Sequence, residues 1–70
     1  MSEPKEQTVG WVMDQDTSKR RIHIFLIGDV IGLAIEAGQR YPVRVALDDE
    51  GVSILQGLLG EAVRRAHARA

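Results

Sequence analysis

There is no cysteine among these 70 residues, which excludes disulfide staples and the commonest structural zinc sites. Aromatic residues are nearly as scarce, with one Trp, one Tyr and one Phe, so no basic patch is interleaved with rings as in a base-stacking surface. Neither sign of charge dominates: nine Lys plus Arg stand against ten Asp plus Glu. That balance argues against a general nucleic-acid or membrane-surface binder and leaves room only for a local basic patch. The longest apolar run, 22–37, is broken by His23, Gly28, Asp29 and Glu36, which makes poor material for a membrane helix. Residues 1–7 are polar and charged with one Pro. They match neither a signal peptide nor a membrane span, and the expectation is a disordered tail, a single domain over 8–70 and a cytoplasmic location.

Catalytic constellations are missing too. His23 stands mid-strand among aliphatic residues with no second histidine or carboxylate at metal-ligand spacing, and His67 lies in a fraying helix end. Ser18 sits in a turn and Ser53 on a helix, neither with a base and an orienting acid beside it in sequence. Asp48 and Asp49 read as helix-start residues rather than as a general acid and base. Gly10, Gly28, Gly32 and Gly38 are separated by strand residues and form no phosphate-cradling loop. The sequence therefore predicts no enzyme, no cofactor and no metal site.

What is present is a long amphipathic helix over the last third of the chain, 47–70. Asp48 is the expected N-cap, its side chain accepting from an amide of the first turn, with Asp49 and Glu50 against the positive end of the helix dipole. Val52, Leu55, Leu58, Leu59, Ala62, Val63 and Ala66 share one broad face, the width that covers a core rather than a narrow coiled-coil seam. Arg64, Arg65, His67 and Arg69 gather at the other end, where cations oppose the negative pole. On the opposite face Gly57 and Gly60, each costing about 1 kcal/mol relative to Ala, join Ser53 in a small-residue strip flanked by Ile54. The strip is either tolerated in solvent or lets a second helix come close.

Ahead of the helix the period is two. Residues 9–13 alternate as a short strand, 15–19 are turn-like, and 21–27 alternate again. Gly28-Asp29 suits a two-residue type II′ hairpin. If Ile27 pairs with Val30, then Ile22, Ile24 and Leu26 face Ile31, Leu33 and Ile35 in one aliphatic layer. On the other side Phe25 then comes opposite Gly32, His23 opposite Ala34, and Arg21 opposite Glu36 as an ion pair. Val43, Val45 and Leu47 extend the aliphatic layer after a connection through Gly38, with Pro42 at the start of the strand or outside its pairing. Pairing Asp14 with Arg21 would set Trp11 beside Ile24 and Val9 beside Leu26. A short helix over 30–37, capped by Asp29 and ended by Gly38, is the competing reading.

The predicted fold is α+β: a four-stranded antiparallel meander, β-β-β-β-α, with the amphipathic helix packed on the aliphatic face. The second face mixes Phe25, Ile27, Val30, Ala34, Ala46 and Val12 with Arg21, His23, Arg44 and Glu36, and is too apolar to stay in water. Part of it is expected to be covered by another copy or by a partner. A chain this short buries only about 60% of its unfolded surface and is marginal alone, so with disulfides and the commonest zinc sites excluded, oligomerisation remains as support.

Val9-Gly10-Trp11 opening a strand, a hairpin, Gly38-Gln39 before a further strand and an acid-capped terminal helix are similar in order to the small, BssS-like biofilm-regulatory proteins of enteric bacteria. The resemblance covers roughly 9–65, departs from them in a shorter and more apolar connection between the middle strands, and assigns no functional residue. It implies a small non-enzymatic regulator. Together these features predict a regulatory or interaction protein that binds another protein as a homodimer, using Phe25, Ile27 and Val30 on the sheet face or Ser53, Ile54, Gly57 and Gly60 on the helix. Its size and charge fit a host modulator or a phage-type inhibitor. The alternative is a dimeric nucleic-acid binder that uses Lys19, Arg20 and Arg21 in the turn and Arg64 and Arg65 at the helix end.

Overall fold

The computed structural model describes residues 5–16, 19–38 and 41–69. Expectations for residues 1–4 of the tail, for Ser18 in the first turn and for the Gln39–Arg40 connection lie outside the described residues. Four strands, β1 (Glu6–Met13), β2 (Arg20–Ile27), β3 (Val30–Ala37) and β4 (Val43–Leu47), precede one helix, α1 (Asp49–Ala68). The strands form a single antiparallel sheet in chain order, an α+β fold.

The central hairpin takes the register that its turn dictates. Gly28 adopts φ 62° while Asp29 keeps a negative φ, the combination a type II′ turn requires. Ile27 then pairs with Val30, Phe25 with Gly32, His23 with Ala34 and Arg21 with Glu36. Residues 30–37 are strand, not helix, because that register buries Ala34 and Gly32 under β2 side chains. β4 continues the aliphatic layer by pairing Val45 with Leu33 and Val43 with Ile35, and Pro42 stays outside it.

The register of β1 differs from the expected one. Met13, not Asp14, pairs with Arg21, and the amide of Asp14 donates to the carbonyl of Arg20 at 3.1 Å. A slip of one residue exchanges the faces of a strand. Trp11 therefore pairs with His23, and Val12 joins Ile22 on the aliphatic side. Pairing skips Val9 between Thr8 and Gly10, a bulge that lets Thr8 return to the Trp11 face. The strand also begins earlier than expected: Glu6 and Gln7, read as tail, pair with Ile27 and Leu26.

The helix starts as predicted but does not lie on the sheet. Asp48 is extended (φ −95°, ψ −178°) and its carboxylate accepts from the Gly51 amide at 2.8 Å, with Asp49 and Glu50 in the first turn. Only Asp48 separates β4 from α1, whereas a helix must rise roughly 10 Å above a sheet to pack on it, and strand-to-helix loops commonly span about 2–6 residues. The helix accordingly continues past the end of β4, among the described elements touches that strand alone, and has no buried residue. The molecule measures 54 × 31 × 16 Å.

Candidate interaction surfaces

The two faces of the sheet are finished in different ways. On the first, the side chains of Arg21, His23 and Phe25 on β2 meet Trp11 and Thr8 of β1, Gly32, Ala34 and Glu36 of β3, and Arg44 of β4. Gly32 makes room for the Phe25 ring: a Cβ there would stand 2.3 Å from the ring carbons. Phe25 is 5% exposed and Ala34 0%. Arg44 reaches across the face, its guanidinium carbon 4.8 Å from the Phe25 ring centroid, to place Nη1 3.0 Å from Glu6 Oε1. One long side chain thus ties β4 to β1 over two intervening strands.

Rings and charges complete this layer. Trp11 stacks on His23 with centroids 5.4 Å apart and planes 17° from parallel, and His23 meets Phe25 at 5.2 Å. Arg21 lies with its guanidinium carbon 4.9 Å from the Trp11 ring centroid, and its Nε donates to Glu36 Oε1 at 2.7 Å. His23 is also 5% exposed. Its Nε2 lies 2.8 Å from Thr8 Oγ1, and Nδ1 lies 3.4 Å from Glu36 Oε2 without a hydrogen-bond partner among the described residues. The pairing is consistent if the Thr8 hydroxyl donates to Nε2 and Nδ1 carries the ring proton toward the carboxylate. Glu36 is held below the ordinary glutamate value of 4.5, first by the Arg21 hydrogen bond and then by the charges of Arg21 and Arg44, against an opposing desolvation effect.

Among the described residues nothing lies over the aliphatic face, whose central Ile24, Leu26, Ile31 and Leu33 are half-buried between their neighbours and whose rim is exposed. Val12, Ile22, Ile35, Val43 and Val45 are all exposed, Val43 at 65%. The apolar face of α1 is equally bare, with Leu58 63% exposed and Leu59 and Val63 more than half exposed. Among the described residues no helix is long and apolar enough to cross a membrane.

The expected contact residues fall into separate groups. Phe25 is sealed within its own chain, so what that face presents is the Arg44 guanidinium. Ile27 and Val30 flank the hairpin turn and are exposed. Ser53, Ile54, Gly57 and Gly60 are exposed on the helix, and a Cβ at either glycine would meet nothing within 4 Å. Of the residues expected to meet nucleic acid, Arg20 pairs with Asp14 at 2.9 Å, Arg21 with Glu36, and both Arg64 and Arg65 with Glu61. Lys19 also makes an interaction. Sequence reasoning placed Ile35, Val43 and Val45 beneath the helix, and so missed them as surface. The adjacency of Leu47, Asp48 and Asp49 was the available signal, since it leaves no chain for a return over the sheet. No protein-family model, curated protein or solved structure matches the chain.

Proposed function

We propose that this is a non-enzymatic regulatory or interaction protein that works as a homodimer and acts by binding another protein. The supporting observation is the pair of uncovered apolar surfaces, the sheet face of Ile22, Ile35, Val43 and Val45 and the helix face of Leu58, Leu59 and Val63. Contiguous apolar patches of this kind mark association sites rather than solvated surface. The self-sealed face, with its ring and guanidinium layer, stays outside such a dimer and is the surface offered to the second protein. Host modulator and phage-type inhibitor both fit this description, as does the regulatory role implied by the resemblance.

Light scattering across a wide dilution series tests the reading. A mass of two chains that persists on dilution supports it, and one chain at every concentration removes the homodimer. A dimeric nucleic-acid binder is the less supported alternative, because Arg20, Arg21, Arg64 and Arg65 each already face a carboxylate. Steeply salt-dependent binding to duplex DNA would favour it.

A further inference from the structure

We infer that α1 of each copy lies along the aliphatic sheet face of the other, so that each chain supplies its partner's missing second layer. This rests on the homodimer reading and specifies how the two copies meet. Three observations lead to it.

The first is surface. A compact chain of 7.7 kDa exposes about 4,300 Å², whereas this one exposes 6282 Å². The surplus is on the order of 2,000 Å² per chain. Twice that figure falls within the range of roughly 2,000–5,000 Å² buried by obligate homodimers. The radius of gyration says the same: 14.5 Å against about 11 Å for a compact chain of this length.

The second is complementarity. Face-to-face packing of two sheets would leave Leu58, Leu59 and Val63 in water, and a pair of helices would leave Ile35, Val43 and Val45 there. Exchange covers both surfaces at once. The dimensions agree: a 20-residue helix is about 30 Å long, and an 8-residue strand about 27 Å.

The third is the junction. Asp48 caps the helix through Gly51, and a Cβ on Gly51 would lie only 3.3 Å from Leu47 Cδ2, so the first turn is seated against the last residue of β4. That seat directs α1 outward past the hairpin end of the sheet. A two-fold axis beside the junction then lays each helix, N-terminus first, over the hairpin end of the partner's aliphatic face. Leu59 stands about 15 Å along the helix and Val43 about 14 Å back from Leu47 along its strand, so these two positions face each other across the dimer.

Absence of native cysteine makes the test clean. A Leu59→Cys chain and a size-tagged Val43→Cys chain are unfolded together, refolded as a mixture and oxidised. The expected product on a non-reducing gel is the mixed disulfide, with both homodisulfides lost. Homodisulfides of either variant in place of the mixed one, with the dimer mass intact, overturn the exchange and leave the homodimer standing. A monomeric mass with no interchain disulfide removes both. Should the thiols disturb folding, Leu59→Glu and Val43→Lys provide a second route: each alone loses the dimer, and the mixture regains it. Failure of the mixture to regain the dimer, when unsubstituted chain is dimeric, overturns the exchange.

Discussion

The two faces of this sheet reverse the usual relation between polarity and burial. The face that carries Arg21, His23, Glu36 and Arg44 is the one with buried residues, while the face of Ile22, Ile35, Val43 and Val45 lies open. Reach explains the first. Gly32 and Ala34 leave a shallow floor in β3, Phe25 fills it, and Arg44 is long enough to bridge over the ring to Glu6. Aliphatic side chains cannot close over themselves in this way. They need a second layer, and the chain's helix is held away by a one-residue link. Which face is covered within one chain is therefore decided by side-chain length and connection length, not by hydrophobicity alone.

The largest effect should come from the sealed face. Phe25→Ala removes its central ring and is expected to cost about 3–5 kcal/mol in chemical denaturation, at any protein concentration. Val43→Ala on the open face should instead give a loss that varies with concentration, since it acts through association. If the two variants respond alike to dilution, the contrast between the faces is wrong.

Next in size is Gly32→Ala, whose Cβ would overlap the Phe25 ring at 2.3 Å and force it out, at about 1–3 kcal/mol. The same substitution in a Phe25→Ala background should cost much less, because the ring that it strikes is gone. Additive losses in the double variant would mean that Gly32 is required for its backbone and not for the space above it. Smaller again is Asp48→Ala. Loss of the bond to Gly51 should cost about 1 kcal/mol, seen as fraying of the first helical turn in amide exchange. Since that turn aims α1 away from its own sheet, the variant should also weaken the dimer.

Much of this was legible from residue patterns. The Gly28-Asp29 turn fixed the central register, and the Asp48 cap with its acidic first turn fixed the start of the helix. The alternation of β1 fits either face, and the choice depends on a bulge at Val9 and on Trp11 finding a stacking partner in His23. Neither leaves a periodic trace. The pattern predicts a helix on the sheet because an amphipathic helix and an apolar sheet face in one short chain normally cover each other. Periodicity reports that a face needs burial, and it does not say which copy of the chain provides it. Phe25 looks like a surface contact in the sequence for a related reason: its cover, Arg44, sits two strands away, and pairwise register does not show so long a reach.

The smallest expected effect concerns acid and acts on the sealed face through Glu36. Glu36 has a folded value held below 4.5, chiefly by the hydrogen bond from Arg21. A carboxyl whose folded value is depressed adds stability that is fully present above its unfolded value and is lost as pH falls through the folded one. Denaturation midpoints should therefore be flat above the ordinary glutamate range and decline below it. Because the Glu36 carboxyl still reaches solvent, with 29% of its side chain exposed, its share of that decline is modest. Glu36→Gln keeps the shape and removes the titration, so its midpoint should start lower at neutral pH and fall less steeply in acid, with the two curves converging. Parallel curves would show that the acid sensitivity arises elsewhere, and would leave Arg21 over Trp11 as the contact that holds that end of the sealed face together.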